Sequence, residues 1–336
     1  MTPEVAVIGA GSWGTTVASL AASHTPTVLW ARRAETAEEV ATAHTNSRYL
    51  GDAPLAPALR ATADLAEAVS AADILIMGIP SHGFRATLAE MAPHMRPGRP
   101  VISLSKGLEP ETRLRMTEVV AEVTPDHPAG VLTGPNLAKE VLAGQSAAAV
   151  VAMPDEQVAR TLQEVLSRDV FKIYRSTDVV GAEIAGALKN VFAIAAGIAA
   201  GLGSGDNTRA LVMCRAIAEM TRLGVAMGGH PMTFAGLAGI GDLLATCTSP
   251  LSRNRTVGEQ LAAGRSVREI TESMQQVAEG IKASRSIVRL AEEYDVEMPI
   301  AAEVDAVVNH GRTPQEAFQN LLERVPTIEF EGVLLR

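Results

Sequence analysis

The pattern of hydrophobic and polar positions changes near residue 180. Before that point, short apolar and β-branched runs alternate with stretches of helical periodicity. The apolar runs are EVAVIG, PTVLWA, DILIMGI, PVISLS, AGVLT, AAAVVAM and VFKIY. Apolar strands separated by helices are typical of a mostly parallel, doubly wound sheet that is covered on both faces. We therefore expect an α/β domain over residues 1–178.

Beyond residue 180 the strand pattern stops and long helical periodicity takes over. Glycine-rich joints such as GLGSGDN and MGGHP separate the helical segments, which we place at 181–203, 207–228, 242–248, 254–263, 266–273 and 279–295. We expect an all-helical domain over residues 179–336, joined to the first domain without a long linker. A cleft between two such domains is the default place for a small-molecule site.

The composition and net charge limit the kinds of molecule that the protein can be expected to bind. The chain has 47% hydrophobic and 20% charged residues, as a globular protein does, and its net charge of −9 argues against nucleic acid or an anionic membrane as a partner. The two cysteines, Cys214 and Cys247, provide no disulfide framework and suit a reducing compartment. The N-terminus lacks the basic region of a signal peptide. We expect a soluble, cytoplasmic protein without stable membrane association.

A glycine motif follows the first apolar run. Gly9, Gly11 and Gly14 form the pattern G-x-G-x-x-G between a strand and a helix. In that context the glycines allow a tight turn and let a pyrophosphate approach the helix N-terminus. The first domain is therefore predicted to be a Rossmann-like domain that binds a nicotinamide dinucleotide. After the second strand, Arg32 and Arg33 stand where NAD-selective sites place an acid, which favours NADP(H), with NAD(H) as the alternative.

One lysine interrupts an apolar helix. Lys189 lies within GAEIAGALKNVFAIAAGIAAG, and its neighbours at helical spacing include no carboxylate. An unpaired buried lysine is costly, so it loses its proton or finds a partner elsewhere in the chain. Asp242, after a glycine-rich turn, is either that partner or a helix N-cap. Thr246 lies one turn later on the same face.

Further polar residues follow glycine turns and strand ends. The run Ser252 to Arg255 concentrates donors at a predicted helix start, which suits a phosphate and equally suits a solvated surface. Lys106 in SLSKGLE, and Gly134 with Asn136 in LTGPNLAKE, follow predicted strands. Together these residues indicate an NAD(P)-dependent oxidoreductase for a small anionic substrate, with Lys189 transferring the proton. No metal site is predicted.

The assembled motifs resemble the bacterial-type NAD(P)-dependent glycerol-3-phosphate dehydrogenases. The matching pieces, in order, are IGAGSWGT, SKGLE, LTGPNLAKEV, ALKNVFAIAAGI, AGIGDLLATCTSPLSRN and VAEGI. The resemblance implies reversible hydride transfer between NAD(P)H and dihydroxyacetone phosphate, giving sn-glycerol 3-phosphate for phospholipid synthesis. It also implies that Lys189 is the proton acceptor.

The same resemblance implies two sets of contacts. Substrate contacts fall on Lys106, Gly134, Asn136, Lys189, Asp242, Ser252, Arg253 and Asn254, to which we add Thr246 as the neighbour of Asp242. Cofactor contacts fall on Ser12, Trp13, Arg32, Arg33, Lys106, Ala138, Arg253, Val277 and Glu279, beside the three glycines. The family often has serine where this chain has Asn136, so that contact differs in reach.

Two other functions stay open at this point. β-Hydroxyacid dehydrogenases share the cofactor domain, but their lysine and asparagine lie one helical turn apart, whereas Lys189 and Asn190 are adjacent. A catalytically silent redox sensor would have lost the lysine or the basic run, and both are present. The alanine- and glycine-rich helices leave a homodimer as one alternative for the oligomeric state.

Overall fold

The computed structural model describes residues 2–274, 278–326 and 328–329. The chain divides into two compact units, the first made of Met1–Ser105 with Leu114–Val179 and the second of Lys106–Arg113 with Val180–Arg336. The division therefore falls beside the boundary predicted at residues 178 and 179. It also places Lys106–Arg113 with the second unit.

The first unit is built on one eight-stranded sheet. Its strands are β1 (Val5–Ile8), β2 (Thr27–Trp30), β3 (Arg60–Thr62), β4 (Ile74–Met77), β5 (Val101–Ser103), β6 (Ala129–Thr133), β7 (Ala147–Ala152) and β8 (Phe171–Ser176). Their order is β3-β2-β1-β4-β5-β6-β7-β8, and every neighbouring pair is parallel except β6 with β7. The predicted mostly parallel, doubly wound sheet is confirmed. The short edge strand β3 was not predicted because it contains no apolar run.

Helices cover both faces of this sheet. They are α1 (Ser12–Ala22), α2 (Ala34–Ala43), α3 (Ser47–Leu50), α4 (Leu65–Ser70), α5 (Ser81–Met91), α6 (Met116–Val123), α7 (Ala138–Leu142) and α8 (Glu156–Leu166). Alternate residues of β1 serve two separate cores. Val5 and Val7 pack with α1 and α8, whereas Ala6 and Ile8 pack with α4, α5 and α6. This two-sided burial explains why the central strands are continuous apolar runs.

The second unit is helical. Its helices are α9 (Val179–Gly201), α10 (Asp206–Ala226), α11 (Pro231–Phe234), α12 (Asp242–Thr248), α13 (Arg253–Ala262), α14 (Val267–Ser273), α15 (Glu279–Glu293), α16 (Pro299–Asn309) and α17 (Pro314–Leu322). The six predicted helices are present, and α11, α16 and α17 are additional. Among the described residues, only α9 is by itself long and apolar enough to cross a membrane, and 89% of its apolar window is buried inside the protein.

Glycines bring α9 and α13 into backbone contact. A Cβ added at Gly197 would overlap the carbonyl oxygen of Arg255, and one added at Gly258 would overlap that of Ile194. The close crossing carries the N-terminus of α13 to the middle of α9, beside Asn190. The segment Lys106–Arg113 is fixed to the same unit because Leu108 belongs to its hydrophobic core.

Candidate active site

At two of its three glycines, Gly9 and Gly14, the turn between β1 and α1 has room for backbone only. Gly9 has a φ of +116°, and an added Cβ would lie 2.6 Å from the carbonyl oxygen of Gly78, while one at Gly14 would overlap the carbonyl of Gly9. Gly11 differs, because an added Cβ there would meet nothing within 4 Å. The turn is therefore closely packed against backbone at Gly9 and Gly14. It is open at Gly11, the N-cap of an 11-residue helix, where a pyrophosphate fits.

Other residues of the first unit extend this site. Arg32 and Arg33 are exposed just after β2, and Arg33 is the N-cap residue of α2. The indole ring of Trp13 packs edge-on against Phe171 with ring centroids 5.9 Å apart. Its Nε1 is buried without a hydrogen-bond partner among the described residues. These residues fit a dinucleotide whose adenosine carries an anionic group near the two arginines.

The carboxyl end of β6 supplies a second set of residues in the same unit. Gly134 follows the strand with a φ of +138°, and Ala138 begins α7 two residues after Asn136. Both polar atoms of the Asn136 amide are buried, and neither has a hydrogen-bond partner in the part of the chain that the structure describes. An unsatisfied buried amide is costly, so these atoms favour a bound partner.

A lysine–aspartate–lysine cluster lies in the second unit. Asp242 is 1% exposed and Lys189 is 6% exposed. The Nζ of Lys189 donates to the Asp242 carboxylate and to the Thr246 hydroxyl, the latter at 2.9 Å. The Nζ of Lys106 donates to the other oxygen of the carboxylate at 2.7 Å. Lys189 is thus a buried ammonium group whose partner comes from α12, which answers why the apolar helix tolerates it.

Burial controls the proton affinity of this lysine. Desolvation lowers the pKa of Lys189 from 10.5 to about 8, the negative charge of Asp242 opposes the change, and the positive charge of Lys106 adds to it. The side chain therefore exchanges a proton within reach of neutral pH. A group with that property can act as a general acid in one direction and a general base in the other.

Asn190 connects the cluster to three other segments. Its Nδ2 donates to the backbone carbonyl of Lys106 at 2.9 Å and to the Glu279 carboxylate at 3.4 Å. Its Oδ1 accepts from Asn254 Nδ2 at 2.9 Å, and Asn254 Oδ1 in turn accepts from the N–H of Gly280 at 3.0 Å. One buried amide thus holds the Lys106 segment, α13 and the start of α15 against α9.

The carboxylate at the start of α15 is also unusual. Burial raises the pKa of Glu279, while the positive charges of Arg253 and Lys189 oppose that change. Glu279 is therefore a half-buried acid in an electropositive setting. Cys247, on α12, is buried nearby, and burial raises the pKa of its thiol to about 12, so it stays protonated and unreactive.

Comparisons with known proteins show the family of this chain. The family model described as NAD-dependent glycerol-3-phosphate dehydrogenase N-terminus matches residues 4–159, and the model of its C-terminus matches residues 178–319. A Mycobacterium avium glycerol-3-phosphate dehydrogenase (NAD(P)+) is 57% identical over 331 residues, which cover 98% of this chain and 97% of the relative. The chain belongs to the NAD-dependent glycerol-3-phosphate dehydrogenase family.

Two further members of the family are similar over nearly their whole length. A Sphingopyxis alaskensis glycerol-3-phosphate dehydrogenase (NAD(P)+) is 53% identical over 320 residues, covering 95% of this chain and 96% of the relative. The crystal structure of glycerol-3-phosphate dehydrogenase from Coxiella burnetii superposes with a TM-score of 0.91 at 35% identity, covering 96% of this chain and 99% of that one. The predicted family is therefore confirmed.

The predicted site residues of this family member fall into two groups. In the second unit, Lys189 contacts Asp242 and Thr246, and Lys106 contacts Asp242. Asn254 and Glu279 join them through Asn190. The first unit carries Gly9, Gly11, Ser12, Trp13, Gly14, Arg32, Arg33, Gly134, Asn136 and Ala138. Val277 lies outside the described residues.

Two residues differ in detail from what the sequence indicates. Asp242 is the first residue of α12, and Gly241 holds the N-cap position, so the simple N-cap interpretation of Asp242 does not hold. The side chain of Asn254 is occupied by Asn190 and Gly280. Asn190 itself was not predicted as a site residue, although it is the only polar neighbour of Lys189 in sequence and that adjacency was the available signal.

Proposed function

We propose that the chain is a glycerol-3-phosphate dehydrogenase that reversibly reduces dihydroxyacetone phosphate to sn-glycerol 3-phosphate with NAD(P)H. In this proposal Lys189 is the proton donor and acceptor, and the product serves phospholipid synthesis. The observation that carries the proposal is the buried contact of Lys189 with Asp242, which in turn binds Lys106, in a chain of this family. A silent redox sensor has no need to maintain such a cluster.

The dinucleotide is proposed to bind the first unit. Its reduced nicotinamide supplies the hydride when it is bound. The glycine turn and the N-terminus of α1 would hold the pyrophosphate, and the exposed Arg32 and Arg33 would contact the adenosine end. Arginine pairs well with a 2′-phosphate, so NADP(H) is favoured and NAD(H) is the alternative.

Lys189 is proposed to manage the proton. In the reductive direction its ammonium form would donate a proton to the substrate carbonyl oxygen as negative charge develops there. In the oxidative direction its neutral form would accept the proton of the secondary hydroxyl. Asp242 would orient the Nζ, and the ammonium of Lys106 would add positive charge beside the same oxygen.

The substrate phosphate is proposed to bind at the start of α13. Ser252 is the N-cap residue of this 10-residue helix, and Arg253 follows it with an exposed side chain. The first N–H groups of a helix have no intrahelical acceptor, and they attract anions. Because the Asn254 side chain is already occupied, we propose that Asn254 contributes its backbone N–H.

The direct test follows NADPH absorbance with purified protein and dihydroxyacetone phosphate, in parallel with NADH and with a panel of 3-keto acids. The proposal predicts rapid oxidation that is specific to dihydroxyacetone phosphate, faster with NADPH than with NADH. Oxidation with a 3-keto acid instead would favour a β-hydroxyacid dehydrogenase. NADPH binding without turnover of any substrate would favour the sensor.

Location and assembly stay proposals. We propose a cytoplasmic enzyme without stable membrane association, supported by the burial of α9 inside the second unit. Gly197 and Gly201 of this helix pack within the chain against α13, so they lend no support to a homodimer. The homodimer stays a prediction, and light scattering on the purified protein tests it.

A further inference from the structure

Asn46 lies in the loop between α2 and α3 and is completely buried. Its Nδ2 donates to the carbonyl oxygen of Ala10 at 3.0 Å and to Thr15 Oγ1 at 2.9 Å. Ala10 stands between Gly9 and Gly11 in the glycine turn, and Thr15 lies in the first turn of α1. A side chain 36 residues away in sequence therefore holds the turn from beneath.

This contact determines where a neighbouring N–H group points. The peptide between Ala10 and Gly11 is planar and trans, so the carbonyl of Ala10 and the N–H of Gly11 point in opposite directions. Fixing the carbonyl on Asn46 fixes the N–H as well. Glycine-rich backbone rotates readily without such a restraint, and a rotated peptide would turn a carbonyl oxygen toward an anion.

The residues on either side of Asn46 are fixed to α2. Thr45 Oγ1 donates to Glu39 at 2.9 Å, and the Ser47 N–H and hydroxyl donate to the same carboxylate at 2.7 and 3.1 Å. The Ser47 N–H is the main cause of the lowered pKa of Glu39, which therefore stays ionised. Because Arg33 is the N-cap residue of α2, the segment Thr45–Ser47 links the glycine turn to the element that begins at the two arginines.

We propose that Asn46 is a positioning residue of the dinucleotide site. It orients the Ala10–Gly11 peptide for a pyrophosphate, and its neighbours hold α2 at a fixed distance from that peptide. The proposal rests on the proposed function, because it concerns the same dinucleotide. Asn46 touches the turn and is too deeply buried to touch the ligand, so its removal should weaken cofactor binding and spare the chemical step.

The first experiment titrates NADPH and NADH into Asn46→Ala and the unaltered protein by fluorescence, without substrate. Loss of the two hydrogen bonds is expected to raise both dissociation constants about ten-fold. At saturating NADPH, kcat should change by less than about two-fold. The matched control is Asn309→Ala in the second unit, which also loses two amide hydrogen bonds, to Ser284 and Asp305, and should leave both dissociation constants unchanged.

The Asn46→Asp variant separates the loss of the amide hydrogen bonds from the loss of side-chain volume. This variant keeps the shape, loses the donors and directs a carboxylate at the Ala10 carbonyl, so at about pH 8 it should bind NADPH more weakly than Asn46→Ala. Burial beside a carbonyl oxygen should raise the pKa of the introduced acid, so binding should partly recover near pH 5, where its protonated form can donate again. If Asn46→Ala does not fold, Thr15→Val removes one acceptor of the same amide and should raise the dissociation constant about three-fold.

The outcomes separate this inference from the proposed function. Unchanged dissociation constants in the Asn46 and Thr15 variants, accompanied only by a lower unfolding midpoint, would overturn the positioning role. Failure of the unaltered protein to bind NADPH at all would contradict the proposed function instead. A loss of kcat at saturating NADPH, with no change in binding, would also count against the positioning role.

Discussion

Replacing Asp242 by asparagine removes one negative charge from the centre of the lysine cluster and preserves its shape. In the native protein this carboxylate opposes the desolvation that lowers the pKa of Lys189. Without this carboxylate, the Lys189 ammonium is still buried and still repelled by Lys106, but it loses its attraction to Asp242. The pKa of Lys189 should therefore fall further, and the lysine should be largely neutral at pH 7.

The size of the effect follows from the contact geometry. Two unit charges about 4 Å apart interact by about 4 kcal/mol at an effective dielectric constant of about 20, which corresponds to about three pH units. Rearrangement of Lys106 and water will reduce this, so we expect the kinetic pKa to fall by at least about one unit from its native value of about 8.

The assay is the pH dependence of kcat in both directions, between about pH 6 and about pH 10. Native oxidation of sn-glycerol 3-phosphate should rise with pH through about 8 because the neutral lysine is the acceptor, and reduction should fall over the same range. In Asp242→Asn both transitions should move to lower pH, and reduction at pH 7 should slow because the proton donor is lost.

The matched control is Glu219→Gln, which neutralises another buried carboxylate in the second unit. Glu219 accepts from the N–H groups of Ile300 and Ala301 at the start of α16, so the control should leave the kinetic pKa unchanged. An Asp242→Asn enzyme that keeps its native kinetic pKa while losing rate would refute the electrostatic argument.

Three further predictions concern stability and selectivity. Burial raises the pKa of Glu219 from 4.5 to about 7, so the folded state binds more protons than the unfolded state between these pH values. The free energy of unfolding should therefore fall as pH rises through this window, by about 3 kcal/mol at most. Urea titrations of Glu219→Gln should show a free energy of unfolding that depends less on pH. Gly197→Ala should lower the free energy of unfolding by about 1–3 kcal/mol because the new methyl group overlaps the Arg255 carbonyl, whereas Gly83→Ala, whose nearest contact is 3.5 Å, should be neutral or stabilising. Arg32→Ser with Arg33→Ser should raise the dissociation constant for NADPH at least about ten-fold and that for NADH much less; an equal loss for both cofactors would contradict a 2′-phosphate contact.

The alternating pattern of the first unit could be predicted because its strands are buried on both faces. Continuous apolar runs such as VAVI and ILIM are the direct consequence of two cores that share each strand. The edge strand β3 lacks that signal, since its three residues are exposed or half-buried. Helices α16 and α17 were missed although Pro299 begins the first and a capping box of Thr313 and Glu316 begins the second, so the sequence carries a start signal for each.

The sequence allowed us to predict which residues belong to the candidate site better than which of them contact one another. Lys189 stands out because a charge within an apolar helix needs a partner, and that partner was one of the two interpretations of Asp242. The position of Lys106 in the second unit could not be read from its sequence, since Leu108 anchors the segment by tertiary packing alone. Asn46 was missed because a buried asparagine has no distinctive spacing and its role depends on a carbonyl group far away in the chain, whereas Asn190 offered only its adjacency to Lys189 as a signal.

The most direct test of the central claim is Lys189→Ala, assayed for both NADPH binding and turnover of dihydroxyacetone phosphate. Removal of a general acid and base should reduce kcat by about two to four powers of ten, while the NADPH dissociation constant should stay within about two-fold, because the glycine turn belongs to the other unit. Turnover close to the native rate would contradict the role of Lys189 as proton donor and acceptor, as would complete loss of NADPH binding.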